Sequence, residues 1–235
     1  MKNLEICLSP ELIHLHNLEG KIVVVVDIFR ATSTMVAALG NGVSEIKTFA
    51  SLDECRAMKS KGYLIAGERN GQKVEGFDLG NSPIAYLDGK YSGQKLAMTT
   101  TNGTLALSKS KDAEEILIGA FPNISATVKY LQSKDRDILI FCAGWKGKFN
   151  LEDSLYGGAL AKGLEETHSS EDDASLAMTS LFEKEGNDLK GFLSQASHAK
   201  RLQNHNIEAD IDFCLTNDSF DLVGKVVESK LIRWA

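Results

Sequence analysis

The sequence predicts an α/β fold: a three-layer α/β/α sandwich around a largely parallel or mixed sheet. Three observations carry this. Residues 23–26 are four consecutive valines, which read as a strand buried on both faces. Apolar strand-like runs alternate with helical patterns through the first two thirds of the chain. No Pro/Gly/Ser-rich linker, internal repeat or low-complexity tract interrupts them, so residues 1–235 read as one domain with a helix-rich part at about 151–220.

The strand-like runs fall at 4–8, 21–28, 45–49, 63–66, 95–100, 115–118 and 137–142. Helical patterns separate most of them, at 32–39, 52–61, 104–109, 124–133 and 151–167. The first helix carries the apolar run Met35 to Leu39 and closes at Gly40-Asn41-Gly42. The polar segment 169–173 reads as a surface turn before a helix at 174–185. Helical signals continue to about His205, and 225–234 reads as a final strand.

Composition narrows the function. The chain has 26 Lys and Arg against 32 Asp and Glu, a net charge of −6, and its basic residues are scattered. That pattern argues against nucleic-acid or membrane-surface binding, which needs a positive face. It leaves room for a small anionic substrate in a locally basic cleft. Cys7, Cys55, Cys142 and Cys214 are far apart and form no CxxC pair, so free thiols in a reducing compartment are expected. Cys142 has no arginine at the offset of a Cys-x5-Arg phosphatase loop. There is no signal-peptide pattern and no apolar run of bilayer length, which leads to the expectation of a cytoplasmic protein. A homodimer is kept open as its assembly.

Four segments share one design: an apolar strand breaking into a loop of glycine, acid, amide or hydroxyl. In open α/β sheets ligands bind at such strand tips, and helix N-termini there offer N–H groups to anions. The first segment places Asp27, Arg30, Thr32 and Ser33 at the end of the valine strand. An acid ending an apolar strand needs a partner to offset its desolvation, so Asp27 is the foremost catalytic or metal-binding candidate. Arg30 is a phosphate fork or a surface ion pair; Thr32 and Ser33 are substrate contacts or helix caps.

The second segment, 67–83, is long for a connection. It offers Glu68, Glu75 and Asp78 as hard-metal ligands, with Glu68 also a catalytic candidate, and Arg69 as an anion fork. Asn81 and Ser82 are candidate substrate contacts, against local roles in an Asx turn and a helix start. The third segment, Thr99 to Thr104, could form an anion nest from Thr101, Asn102, Gly103 and Thr104, against simple capping. The fourth, 142–153, contributes Gly144 and the acid pair Glu152 and Asp153. Asn150 with Asp153 also fits a capping box. Paired acids suit magnesium, which takes carboxylates plus waters and substrate oxygens.

The five histidines show no metal spacing, and His198, on a helical pattern, reads as part of a solvated face. A G-x-S-x-G elbow, a Walker A loop and a G-x-G-x-x-G fingerprint are all absent.

The segments VVVVDIFRATST, GERNGQKVEGFDLGNSP, TTTNGT and CAGWKGKFNLEDSLYGGAL resemble, in order and nearly in wording, those of the 2-phosphosulfolactate phosphatase family (ComB). The resemblance spans almost the whole chain. It implies an α/β/α sandwich and a magnesium-dependent phosphatase that converts 2-phosphosulfolactate to sulfolactate, in the family a step of coenzyme M biosynthesis. Two departures stand out. Val223 is followed by Gly224 where the family usually has Val-Pro, and Ala85 stands where it commonly has an acid.

Two competing readings are weighed. A haloacid-dehalogenase-like phosphatase requires a second acid two residues after the first, and Phe29 occupies that position. A non-catalytic binding protein for a small phosphorylated or sulfonated anion would need the arginines and helix N-termini but not the spread acids.

Overall fold

The structure is a computed structural model that describes residues 1–203 and 207–234. His205, where the helical signal was expected to end, lies outside the described residues. The strands are β1 (Lys2–Cys7), β2 (Ile22–Val26), β3 (Glu45–Thr48), β4 (Leu64–Arg69), β5 (Gln72–Lys73), β6 (Lys95–Thr99), β7 (Glu115–Gly119), β8 (Ile138–Cys142), β9 (His168–Ser169), β10 (Gly224–Val227) and β11 (Lys230–Arg233). The helices are α1 (Ala31–Gly40), α2 (Leu52–Ala57), α3 (Gly103–Lys109), α4 (Ile124–Gln132), α5 (Leu151–Gly163), α6 (Asp173–Glu185), α7 (Leu189–Leu193), α8 (Ser197–Gln203) and α9 (Glu208–Cys214).

All eleven strands join one mixed sheet in the order β5-β4-β6-β3-β11-β10-β7-β2-β8-β1-β9. Every residue of β2 is fully buried, and alternate residues of a strand point to opposite faces, so both faces of the sheet are covered. The α/β sandwich expected from the valine run is therefore the fold.

The expected single strand at 225–234 is instead an antiparallel hairpin, β10–β11. Its turn residues Glu228 and Ser229 have φ of 48° and 63°. A two-residue type I′ turn needs positive φ at both positions, usually signalled by Asn-Gly, and Glu-Ser hides that signal. Gly224, where the family has proline, opens β10; a Cβ there would lie 2.5 Å from Ile118 Cγ1 on β7. The helix expected at 151–167 ends at Gly163, and His168–Ser169 then pairs with the edge of β1. The helix expected at 52–61 is α2 followed by a 3-10 turn over Met58–Lys61.

The hairpin sits between two parallel groups. One is β4, β6 and β3; the other is β7, β2, β8, β1 and β9. Crossing β3–β11, β11–β10 and β10–β7 passes three antiparallel junctions, so the two groups run in opposite senses along the ladder. Sheets twist by roughly 20–25° per strand, so the six steps from β4 to β2 accumulate roughly 120–150°. The carboxyl ends of both groups reach one cleft, which Asp27 after β2 and Glu68 near the end of β4 line together.

α5 packs closely on α6 because Gly158 leaves its face bare: a Cβ there would lie 2.1 Å from the Met178 carbonyl oxygen, while Gly157 faces Ile6 and Ile140 of the sheet. All four cysteines are buried and free. No helix among the described residues is long and apolar enough to cross a membrane.

Candidate active site

Asp27 follows the last residue of β2 and is 6% exposed. Its Oδ1 accepts the Ala31 N–H at 3.2 Å, capping α1. The Thr32 hydroxyl donates to the Asp27 carbonyl at 3.0 Å and accepts the Asp27 N–H at 3.0 Å. The Ser33 hydroxyl donates to the Ile28 carbonyl at 2.9 Å. The expectation of Thr32 and Ser33 as substrate contacts is thus corrected: fully buried, their hydroxyls close the strand-to-helix turn. Burial raises the Asp27 carboxyl to about 6; the Ala31 N–H and His198 act downward, Glu68 and Glu152 upward.

Glu68 is the penultimate residue of β4, where Thr101 N–H donates to its Oε1 at 2.7 Å and Gly71 N–H to its Oε2 at 2.8 Å. It thereby fixes the loops after β4 and β6 together. Gly103, the first residue of α3, touches Asp27: a Cβ there would lie 2.9 Å from Asp27 Oδ2 and 2.6 Å from Ala31 Cβ. Lys146 spans the cleft, its N–H donating to Asn102 Oδ1 at 3.0 Å and its Nζ to Asn70 Oδ1 at 3.1 Å.

Glu152 and Asp153, in the first turn of α5, are fully buried. Asp153 accepts Ile28 N–H at 2.8 Å and Gly144 N–H at 3.0 Å, locking the β8–α5 loop onto the β2–α1 turn. Burial, then the charges of Asp27 and Glu152, push the Asp153 carboxyl well up, against the downward pull of the Ile28 N–H. Glu152 Oε1 accepts Asn150 Nδ2 at 3.0 Å and bonds His198 Nδ1, while Oε2 is buried without a partner.

The expectation of a solvated His198 is overturned. The ring is 3% exposed and packs on Trp145 at 4.8 Å between centroids. Arg30 is buried in an ion pair with Asp210 of α9, and Ser82 Oγ donates to Asp210 Oδ1 at 2.6 Å. Neither His198 nor Asp210 was found as a site residue from the sequence; both lie on helices remote from the four loops.

A narrow cleft of about 20 Å³ is lined by Asp27, Arg30, Glu68, Asn81, Asn102 and His198, with Phe29, Gly71 and Trp145. That is room for one water or ion. A wider cavity of about 540 Å³ shares Arg30, Gly71 and Asn81 with it and adds Lys73, Ser82 and Asp210. Buried Asn81 Oδ1 has no partner among the described residues.

Four further expectations need correction. Asp78 binds Lys59 Nζ at 2.6 Å and Ile65 N–H at 3.0 Å, three residues back along β4 from Glu68 and so roughly 10 Å from it. Arg69 donates to Thr99 Oγ1 at 2.9 Å and the Glu68 carbonyl at 2.6 Å, outside the cleft lining. Thr104 is tied back to Thr100 at the start of α3, its N–H donating to Thr100 Oγ1 at 3.1 Å and its hydroxyl to the Thr100 carbonyl at 2.9 Å. Gly144 gives its N–H to Asp153 and does not line the cleft. Thr101 meets the site through its N–H to Glu68, not through its buried hydroxyl, which has no partner.

Buried acids and a guanidinium meet at the strand tips of an α/β sandwich, and the family that the chain matches makes the protein a phosphoric monoester hydrolase. Comparison with known proteins agrees. Residues 7–229 match the family model described as 2-phosphosulpholactate phosphatase. A probable 2-phosphosulfolactate phosphatase of Thermotoga maritima is 44% identical over 214 residues, covering 91% of this chain and 92% of that protein. One of the same description from Clostridium beijerinckii is 32% identical over 233 residues, covering 97% and 98%. A third, from Picosynechococcus sp., is 38% identical over 217 residues, covering 89% and 90%. The chain belongs to the 2-phosphosulfolactate phosphatase family.

Proposed function

We propose that this protein hydrolyses 2-phosphosulfolactate, or a related phosphorylated hydroxy acid, to sulfolactate and phosphate with the help of magnesium. The observation that carries this is the convergence of Asp27, Glu68 and Arg30 on one cleft, with a wider cavity beside it. The names of the relatives point to the same ester.

Among the described residues no three His, Cys, Asp or Glu side chains form a ready-made metal cluster. Magnesium needs none, since it binds through one or two carboxylates plus waters and phosphate oxygens. Asp27 and Glu68 are the acids that line the cleft and would hold it, while Glu152 and Asp153 do not line it. When bound, the ion would draw the phosphoryl oxygens and offset charge developing on them.

The chain's own groups do the rest. Arg30, held by Asp210, offers a rigid guanidinium to the phosphate or to a second anionic group. Lys73 lines the wider cavity beside it and Lys146 reaches Asn70 next to the narrow cleft, supplying charge for an ester that carries three anionic groups. Asp27 is placed either to orient the attacking water or to attack phosphorus itself. A screen of phosphorylated hydroxy acids, with magnesium and with chelator, tests the proposal. Magnesium-dependent phosphate release from phosphosulfolactate or phospholactate is expected, and release from none would sink it. Hydrolysis of a chiral phosphate ester separates the two routes: inversion means direct water attack, retention a phospho-enzyme.

A further inference from the structure

The leaving group of a 2-phospho-hydroxy acid is a secondary alkoxide, a strong base that departs poorly unless a proton reaches it as the P–O bond breaks. Titratable side chains lining the narrow cleft are Asp27, Arg30, Glu68 and His198. Arg30 does not release its proton. Glu68 accepts a backbone N–H at each oxygen, so both oxygens are engaged as acceptors. Asp27 faces the ion and the phosphoryl group in the function proposed above. His198 remains.

Its setting suits the task. Nδ1 bonds the fully buried Glu152 carboxylate, which fixes the ring where it lines the cleft and leaves Nε2 as its other polar atom. Among the described residues Nε2 makes no hydrogen bond. Trp145 and Phe29 pack on the ring at centroid distances of 4.8 and 6.3 Å, and Asn150 Nδ2 steadies Glu152 at 3.0 Å. This is a carboxylate–imidazole pair aimed at a cleft, and a ring that served only packing would need neither the carboxylate nor the opening.

The geometry points to His198 as the general acid that protonates the leaving alkoxide, with Glu152 as its positioning residue; this rests on the phosphatase function proposed above. As the P–O bond to the hydroxy acid breaks, its electron pair goes to the leaving oxygen, which takes the Nε2 proton and departs as an alcohol. The nucleophile's oxygen bonds to phosphorus, the water proton ends on the phosphate product, and solvent reprotonates Nε2.

The test compares two leaving groups. His198→Gln and His198→Asn keep an amide that can donate to Glu152, and each is assayed on an alkyl ester (phospholactate) and on p-nitrophenyl phosphate, whose phenolate leaves without help. Acid catalysis predicts a loss of about 100-fold or more in kcat on the alkyl ester and less than about 10-fold on the aryl ester. Glu152→Gln should show the same bias, more weakly. Equal losses on both esters would assign His198 to structure and overturn the inference. Failure of the unmodified protein to cleave either ester would instead overturn the phosphatase proposal. If neither His198 variant folds, the solvent deuterium effect on the unmodified enzyme decides. An effect near 2 on the alkyl ester and none on the aryl ester upholds acid catalysis, and equal effects refute it.

Discussion

Asp27 carries opposing demands. Its burial makes the charged form costly, and the same charge is what phosphate chemistry uses. With its carboxyl raised from 3.8 to about 6, the folded protein holds a proton that the unfolded chain has already released. Stability therefore falls as pH rises from about 4 to 6, and the loss persists above that window. Asp27→Asn keeps the Ala31 cap but cannot ionise. It should remove most activity, by about 1,000-fold, while stabilising the metal-free protein at pH 7.5 by at most about 3 kcal/mol, from a shift of about 2 units at 1.36 each. Denaturant unfolding at pH 7.5 and pH 4 checks this, because the gain should vanish at the lower pH. Arg30→Lys should lower kcat/KM at least tenfold, since a point charge cannot serve Asp210 and a phosphate together as a fork can. Wild-type kcat/KM in that variant would return Arg30 to the scaffold. Asp210→Ala leaves a buried guanidinium unpaired and should cost about 3–5 kcal/mol in unfolding free energy.

Two elements invite tests of their own. On α5, Gly158 lets the helix backbone approach α6, and an added methyl would meet the Met178 carbonyl rather than a side chain that can swing away. Gly158→Ala should destabilise by about 1–3 kcal/mol despite the better helix propensity of alanine, seen as a lower Tm with the site chemistry intact. In the β10–β11 turn the opposite holds. Glu228 and Ser229 occupy left-handed backbone at some cost, so the pair Glu228→Asn and Ser229→Gly should raise stability by about 1 kcal/mol. A double variant with an unchanged or lower Tm would show that other contacts set that turn.

At the scale of the molecule, the C-terminal hairpin joins the two parallel groups. Ending the chain before Leu222 would leave β3 and β7 as unpaired edges in the middle of the sheet. Such a truncation should yield aggregated protein with no activity, read by size-exclusion chromatography, because both groups of loops must meet to complete the cleft.

The β/α alternation, the fully buried strand β2, and the four loops that carry Asp27, Glu68, Asn102 and the Glu152–Asp153 pair can all be read from the order of residues. Those are local facts: periodicity sets an element, and a polar residue breaking an apolar strand marks its tip. Only the tertiary structure decided which groups face the cleft. Thr32, Ser33 and Thr104 offered hydroxyls that their own turns consume, and Asp78 lies a few residues too far back along β4. His198 and Asp210 enter from helices 46 and 180 residues distant from Glu152 and Arg30 in the chain. The senses of the two strand groups, opposite along the ladder yet convergent in space, depend on a hairpin whose turn has no glycine to announce it. Side-chain pairing across such separations is fixed by the twist of the whole sheet and by helix packing, neither of which any short stretch of sequence encodes.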